Sequence, residues 1–324
     1  MGIARNGRNR VVRLALASAV TVLLAAAPEV APAPITDWSK IETVVVTARL
    51  PGPALWHVQL GSSEVWILAT VAPVPADLPW DKRTVAKLLL GARLLLLPPR
   101  GEVGLFEGTW FALTELGTLE QPSGSTLEAT LSDPLKSRFA AAHNALHQDG
   151  DRYAKYLPAV AAVILESDFW KANNLNFNGP QKIVEDLARR ASVPVRTAAI
   201  YPAMDVIHDV PKLAPPAQRV CLEDALNDIE IESIHARPAA QAWATGDLEG
   251  IKAHYSETRL DACLQQSRAY SVLRNREVGD IAEAIVSALQ KSGKSVAVVP
   301  MGIWLRKGGV LERLESSGLT VSGP

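Results

Sequence analysis

A pair of histidines one helical turn apart is the pattern in this sequence that comes nearest to a metal-binding motif. His143 and His147 stand in the segment HNALH, and their i, i+4 spacing would place both imidazoles on one face of a helix, as in zinc-binding HExxH helices. Position 144 is asparagine, however, where such a helix carries the glutamate that acts as general base. Polar residues follow at 148 and 149, so the pattern favours a solvated helix face, with a metal-binding pair as the alternative.

The nucleophile and anion-binding patterns have simple structural interpretations. Gly61-Ser62-Ser63 lacks the GxSxG form of an esterase nucleophile elbow and is typical of a turn. Arg306-Lys307 precedes Gly308-Gly309 at a predicted helix start, where free backbone N–H groups can hold an anion, but an ordinary loop entering a helix has the same pattern. The other histidines are dispersed, and spacing alone pairs none of them with a carboxylate: His57, His208, His235 and His254.

The two cysteines are predicted to form a disulfide. Cys221 and Cys263 are the only cysteines, and they lack the CxxC spacing of a redox or metal site. An isolated pair in an oxidising compartment is more often bridged than free, and two buried thiols are the alternative. The bridge would close a loop of about 40 residues, worth about 3–4 kcal/mol in the chain-entropy picture.

The N-terminus has the layout of a secretory signal peptide. Residues 1–13 carry four arginines and no acid, and the uncharged apolar run Leu14–Ala27 follows. This run is shorter than the roughly 20 residues that span a membrane, so residues 1–27 are predicted to be removed on export, with an uncleaved anchor as the alternative. Residues 28–53 would form a stem or contribute an edge strand within Trp38–Leu50. The periplasm is the expected location, and secretion is the alternative.

Composition and charge narrow the class of partner. The 324 residues are 48% hydrophobic and 21% charged, as in ordinary globular proteins, and the net charge is −1. Removal of residues 1–27 leaves 29 basic and 34 acidic residues, a net charge of −5. A mildly acidic chain argues against nucleic acid as a partner, and no membrane span is predicted once the signal is removed.

The elements that would position a site begin with a β-hairpin. Leu55–Leu60 and Val65–Val71 are alternating apolar runs joined by the turn residues at 61–63. After a proline-rich loop, Asp81 opens an amphipathic helix that leads to Leu94–Leu97, a run typical of a strand buried on both faces. We expect the ends of Val65–Val71 and Leu94–Leu97 to lie side by side, where a parallel sheet would bind a ligand.

The middle of the chain is predicted to be mainly helical. A strand over Val193–Ile200 precedes a helical insertion over about 203–270, and one long helix follows over Ser271–Gln290. Further helices are predicted on the same grounds: Leu135–Gln148, Pro158–Asn174, Gly179–Ala191, Pro216–His235 and Pro238–Thr245.

The end of the chain is predicted to return to the sheet. It contains a strand over Ser295–Val299, a loop to Gly309, a helix over Val310–Ser317 and a strand over Leu319–Ser322. We therefore predict one α/β (mixed α+β) domain over 54–324. Its central mixed sheet comes from the N- and C-terminal units, which would bring Ala72 close to Ile303.

Three features of the sequence resemble the TraB/GumN family, which belongs with the Tiki-like metalloproteases. First, the hairpin starts with Leu55-Trp56 and is followed by a proline-rich loop and Leu78-Pro79-Trp80. Second, Leu273-Arg274-Asn275 heads a long helix, like the Arg-Asn pair of the family. Third, Ser295–Val321 is similar to the closing strand, loop, helix and strand of the family. The resemblance covers residues 54–324. It implies the family fold and a metal-dependent peptidase or hydrolase activity.

The resemblance also implies where metal ligands should stand, and this chain has other residues there. Active members carry Gly-x-x-His after the second hairpin strand, where this chain has Ala69 and Ala72, and again after the late strand, where it has Pro300 and Ile303. A family glutamate corresponds to Pro98. Alkyl and pyrrolidine side chains offer no nitrogen or oxygen ligand to a divalent cation.

These departures predict a degenerate metalloprotease, a pseudoenzyme without a cofactor that acts as a binding or scaffold protein in the cell envelope. Its partner would be an envelope protein or a peptide, and Arg274, Asn275 and Trp304 are the binding candidates. Trp304 is expected, with Trp66 and Trp80, to fill the space that a metal site leaves. The alternative is a metal-dependent hydrolase or peptidase with a rearranged site, in which His143 and His147 would hold Mn, Co or Zn.

Overall fold

The computed structural model describes residues 52–324. The predicted signal peptide over 1–27 and the predicted stem or edge strand within Trp38–Leu50 lie outside the described residues, and both stay predictions. Within residues 52–324, no helix combines the length and the apolar character that crossing a membrane requires.

The predicted hairpin is confirmed. β1 (Leu55–Leu60) and β2 (Ser63–Thr70) pair in antiparallel fashion, and Gly61 turns the chain between them with a φ of 59°. Glycine suits this turn because a residue with a Cβ adopts a positive φ only at a cost. The alternating pattern of the two strands places one set of side chains in the core: Trp56, Val58, Val65 and Ile67.

The described residues form eight further strands: β3 (Val74–Pro75), β4 (Leu94–Leu97), β5 (Arg100–Glu102), β6 (Leu175–Asn176), β7 (Val195–Thr197), β8 (Ile200–Pro202), β9 (Gly293–Pro300) and β10 (Val321–Ser322). The central sheet has the order β10-β1-β2-β9-β4-β7. Strands β2, β9, β4 and β7 run parallel, whereas β1 is antiparallel to both of its neighbours. β3 pairs with β6 and β5 pairs with β8 in separate two-stranded sheets.

β9 corrects the predicted neighbour of β2. We expected the ends of β2 and β4 to be adjacent, but β9 lies between them and is parallel to both. Val296–Val299 is apolar and buried, which suits the central position of a parallel sheet covered on both faces. The expected side-by-side placement of the first and last chain units is confirmed by the pairing of β2 with β9.

The predicted strand over Val193–Ile200 is divided between two sheets. β7 joins the central sheet, and β8 pairs with β5 after a break at residues 198–199. The neighbouring segment explains the break, because Pro98-Pro99 follow the end of β4 and proline has no N–H to donate to a ladder.

The helices of the described region cover both faces of the central sheet and build a separate helical layer. They are α1 (Arg83–Leu89), α2 (Leu105–Thr114), α3 (Asp133–Ala145), α4 (Pro158–Ala172), α5 (Gly179–Arg190), α6 (Ala203–Asp209), α7 (Pro215–Ala244), α8 (Leu248–His254), α9 (Arg259–Leu264), α10 (Arg268–Leu289), α11 (Met301–Leu305) and α12 (Val310–Ser316). Helices and a six-stranded mixed sheet confirm the predicted mixed α/β class.

α7 replaces the two helices that were predicted on either side of Pro238. An interior proline lacks the N–H of a helix hydrogen bond, which is why a break was expected there. The helix continues because the residues after the proline are held in the core, with Ala239, Ala240 and Trp243 all buried. Tertiary packing therefore outweighs the local preference for a break.

α11 is a second correction, since residues 300–309 were predicted as a loop. Met301–Leu305 form a short helix instead, and Met301, Ile303 and Trp304 are buried. Burial of these large apolar side chains stabilises the helix, which so short a segment would not form alone.

Two apolar clusters divide the described residues. The first surrounds the central sheet and includes Trp243 and Trp304, and the second lies among α3, α4, α7 and α9. Cys221 and Cys263 belong to the second cluster and form a disulfide between α7 and α9, which confirms the predicted bridge.

Candidate functional site

The positions at which the resemblance predicts metal ligands lie at one edge of the central sheet. Ala69 is at the end of β2, Pro98 follows β4, and Pro300 ends β9. Because these strands are parallel and Thr70 is the register partner of Pro300, their carboxyl ends face the same way. This is the edge at which an open α/β sheet binds its ligands.

Indole rings occupy this edge. Trp243 of α7 is fully buried, and its Nε1–H donates a 2.7 Å hydrogen bond to the carbonyl oxygen of Ala69. Trp304 of α11 is also fully buried and meets Trp56 edge to face, with 5.8 Å between ring centroids. Ala69 and Ile303 are 0% and 3% exposed, so neither side chain borders open space.

The aromatic partners differ from the expected trio of Trp304, Trp66 and Trp80. Trp80 packs against Trp243 at 5.2 Å between centroids, and Trp66 stacks on the imidazole of His57 at 4.3 Å. Trp304 is therefore a core residue as expected, but its partner is Trp56. Sequence alone missed Trp243 because it stands 174 residues from the carbonyl group that it contacts.

A small cavity lies next to the end of β2. Val71, Ala72 and Pro73 form its strand side, and α7 and the segment after α8 form its other side. Its volume is about 20 Å³, which is room for about one water molecule. The polar residues of the helical side are Asp228, Glu232, His235, His254, Tyr255, Ser256 and Thr258.

Two imidazoles meet at this cavity. The Nδ1 atoms of His235 and His254 are 3.1 Å apart, a hydrogen-bond distance when one ring carries the proton and the other accepts it. The rings come from α7 and α8, 19 positions apart in the sequence. The signal that sequence reasoning missed is the helical spacing of Asp228, Glu232 and His235, which places all three on one face of α7.

Buried carboxyl groups extend the polar side of the cavity. Burial, with the charge of Asp228, raises the pKa of Glu232 to about 8, although the Trp170 indole N–H donates a 2.6 Å hydrogen bond to its Oε2. Burial and the nearby carboxyl groups of Glu232 and Asp228 raise the pKa of Glu166 to about 9. Glu166 and Glu232 are therefore mainly protonated at neutral pH.

Asp228 differs from these two glutamates because backbone hydrogen bonds favour its charged form. Burial raises its pKa to about 6, while the backbone N–H groups of Arg259 and Leu260 donate hydrogen bonds of 2.9 and 2.8 Å to its two oxygens. These bonds satisfy the start of α9 and fix the carboxylate against α7. The residue is a structural anchor of the cavity wall.

The structure does not place His143 and His147 on one helix face. α3 ends at Ala145, and His147 is exposed with a φ of 50°. His143 packs against Phe139 and Tyr153, and its Nε2 lies 3.1 Å from the carbonyl oxygen of Asp149. The predicted helix over Leu135–Gln148 is thus too long at its end, because Gly150 and the polar residues before it favour an earlier stop. Across residues 52–324, no three His, Cys, Asp or Glu side chains are grouped so that they could hold a metal ion.

The Arg-Asn pair lies elsewhere, on α10. Arg274 is largely buried and forms ion pairs with Asp261, at 3.0 Å, and with Glu277. Asn275 is exposed, and its side-chain amide donates a 3.4 Å hydrogen bond to Ser271. Both residues line an open groove of about 900 Å³ between α10 and α12.

Gly308 and Gly309 lie in the loop that enters α12. The backbone N–H of Gly308 donates a 2.8 Å hydrogen bond to Glu312 of the same helix. This contact uses a backbone donor that an anion would need. The preceding Arg306 and Lys307 side chains instead line the groove beside α10.

Comparison with known proteins gives one result. A family model described as the TraB/PrgY/gumN family matches residues 54–323. No curated protein and no solved structure matches the chain. Since the matched region covers most of the sequence and nearly all of its described residues, this chain belongs to the TraB/PrgY/gumN family.

Proposed function

We propose that this protein is an exported member of the TraB/PrgY/gumN family that lacks metalloprotease activity and acts as a binding or scaffold protein in the cell envelope. The observation that carries the proposal is the hydrogen bond between Trp243 and the carbonyl of Ala69. It fixes an indole at the strand edge where an active relative is expected to hold a cation. The residues at that edge are alkyl or pyrrolidine, so they offer no ligand in place of the missing ones.

Export is supported by residues 1–27 and by the cysteine pair. The basic start and the apolar run have the order of a signal peptide. A disulfide between Cys221 and Cys263 suits an oxidising compartment such as the periplasm or the exterior. We expect the tagged chain in the periplasmic fraction with a new N-terminus close to residue 28, and an intact N-terminus in the membrane fraction would instead show an uncleaved anchor.

Metal analysis tests the loss of activity. We expect the purified protein, after dialysis against metal-free buffer, to retain far less than one equivalent of Mn, Co or Zn by elemental analysis. About one retained equivalent, or peptidase activity that a chelator abolishes, would contradict the proposal. The partner that we propose is an envelope protein or peptide rather than nucleic acid, in keeping with a net charge of −5 once residues 1–27 are removed.

A second candidate function is a metal-dependent hydrolase or peptidase with a rearranged site. The contact between His235 and His254 favours it, because two imidazole nitrogens 3.1 Å apart lie beside the end of β2. In this case His235→Ala combined with His254→Ala would remove both the bound metal and the activity. His143→Ala is the matched control, since it removes an imidazole far from the cavity in sequence and outside its lining.

A further inference from the structure

We propose that two copies of this chain associate through the exposed apolar face of α2. Large apolar side chains lie on this helix and at its two ends, and each is 43% to 89% exposed: Val103, Leu105, Phe106, Trp110, Leu113 and Leu116. Residues of this size present on the order of 150–250 Å² when fully exposed, so at these fractions the six present roughly 700 Å². The largest apolar patch on a typical monomer is roughly 300–600 Å².

The area of this patch suits a pair of equal surfaces. Each partner in a standard protein interface buries roughly 800 Å². In a two-fold dimer both copies use the same patch. One patch of this size therefore supplies most of what a stable dimer needs from each copy.

The apolar residues of α2 share one side of the helix. At about 100° per residue, six positions fall within an arc of about 160°, and none of them is charged: Leu105, Phe106, Thr109, Trp110, Ala112 and Leu113. The hydroxyl of Thr109 donates a 2.8 Å hydrogen bond to the carbonyl of Leu105, so covering the face does not leave it without a partner. The face can thus be removed from water at little polar cost.

The rest of the described chain holds α2 through a single buried side chain. Phe111, on the opposite side of the helix, is 7% exposed and packs against His208 at 5.5 Å between ring centroids. The helix has ten residues, fewer than the roughly 12–15 that a helix needs to be stable alone. Packing of the exposed face against a second surface would therefore stabilise α2.

The order of large and small residues fits an antiparallel pairing with a second copy. When a two-fold axis passes between positions 109 and 110, Trp110 of one copy faces Thr109 of the other, and Phe106 faces Leu113. A large side chain then meets a small one at the axis, and large apolar side chains meet on either side of it. The face is therefore complementary to itself.

The charges around α2 do not favour a lipid surface as the occupant. Helices that bind at a membrane surface carry Lys or Arg, which anionic lipids attract. Residues 101–135 contain no Lys, Arg or His. Two cations from outside this segment are paired with its acids, Arg100 with Glu102 and Lys155 with Glu120.

Sedimentation velocity on the purified chain at a series of concentrations tests the proposal, and we expect a monomer–dimer equilibrium. Leu113→Asp should raise the dimer dissociation constant by about a hundredfold or more, because the change occurs twice across the interface and places charges in an apolar contact. Leu113 is 77% exposed in the single chain, so the variant should unfold at the wild-type midpoint when both are monomeric. Stability measurements on other residues of the face, such as Trp110, use the same low concentrations.

Leu90→Asp is the matched control. Leu90 is 64% exposed and precedes β4, whereas α2 comes after the carboxyl end of that strand. We expect this variant to dimerise within about twofold of the wild type, a change of less than about 0.5 kcal/mol.

An introduced cysteine tests the geometry of the pairing, because the only two cysteines of the chain are bonded to each other. Thr109→Cys places a thiol beside the two-fold axis, and we expect oxidation by copper phenanthroline to give a covalent dimer. Glu107→Cys places a thiol on the same helix outside the apolar arc and should give far less.

A chain that stays monomeric at every concentration would overturn the proposal. A dimer that Leu113→Asp leaves unchanged, that Leu90→Asp weakens equally, or that cross-links equally through positions 107 and 109 would also overturn it. A monomeric chain that binds vesicles of phosphatidylethanolamine and phosphatidylglycerol, and loses this binding with Leu113→Asp, would overturn it in favour of a lipid surface. None of these outcomes depends on the metal content that tests the proposed function.

Discussion

The two sides of the small cavity at the end of β2 differ in that only the helical side carries titratable groups. The strand side is Val71, Ala72 and Pro73, whereas the helical side has two imidazoles and two carboxyl groups. At the same strand ends, Trp243 and Trp304 are fully buried. The difference teaches that the polar groups beside the end of β2 come from α7, α8 and the segment after α8, whereas the strand ends themselves pack against indole rings.

Trp304→Ala tests the strand side and should have the largest effect. Removal of a fully buried indole leaves a large void and loses its contact with Trp56, so we expect the free energy of unfolding to fall by about 3–5 kcal/mol. Chemical denaturation would measure it. Trp110→Ala is the matched control, since Trp110 on α2 is 55% exposed, and should cost less than about 1 kcal/mol. An unmoved melting temperature for Trp304→Ala would show that the strand edge is not packed as described.

Removal of the disulfide tests the second cluster. Replacement of Cys221 and Cys263 together by alanine frees a loop with a sequence separation of 42. We expect a loss of about 3–4 kcal/mol in unfolding free energy, from greater chain entropy in the unfolded state. Reduction of the wild type by dithiothreitol should give a similar loss, and the double variant should then be insensitive to the reductant. If dithiothreitol destabilises the wild type and the variant equally, the bridge is not the cause.

The buried carboxyl groups on the helical side should make the free energy of unfolding depend on pH. The pKa values of Glu166 and Glu232 are raised to about 9 and about 8, so the folded state holds protons that the unfolded state releases above about pH 4.5. Stability should therefore fall as pH rises from about 5 to 8. Glu166→Gln should reduce this slope by about 1 kcal/mol per pH unit, measured by denaturation at several pH values.

Glu249→Gln is the control for this effect, because Glu249 is exposed on α8. It should leave the slope unchanged. A wild-type stability that rises between pH 5 and 8, with Glu166→Gln following the same curve, would contradict the description of Glu166 as a buried, protonated acid.

The smallest expected effect concerns the imidazole pair. His235→Gln and His254→Gln should each cost about 1 kcal/mol, as for a typical partly buried hydrogen bond. A double-mutant cycle should give a coupling energy of about 0.5–1.5 kcal/mol between the two positions. Strictly additive losses would mean that the two rings do not interact.

Local pattern predicted the strands and most helices because hydrophobic periodicity reports which face is buried. β1, β2, β4 and β9 were identified in this way, as were α4 and α5. The position of β9 between β2 and β4 depends on pairing between segments about 200 residues apart, which no local pattern contains. The same limit explains α7, since its path through Pro238 is decided by core contacts of Trp243.

The candidate site was predictable only in part. The residue types at Ala69, Ala72, Pro98, Pro300 and Ile303 can be read from the sequence, and their correspondence to metal ligands of the family stays a prediction. The contact of His235 with His254 and the groove lined by Arg276 and Arg313 each join two separate helices. Each depends on how separate helices pack together, which local sequence patterns do not show.

One feature of α7 bears on how the molecule folds. The helix carries Cys221 in one apolar cluster and Trp243 in the other, and these residues lie 22 positions, or roughly 33 Å, apart along the helix at 1.5 Å per residue. One helix thus contributes side chains to two hydrophobic cores. Neither core can pack fully while this helix is unfolded, so we expect the sheet and the helical layer to unfold in one cooperative transition.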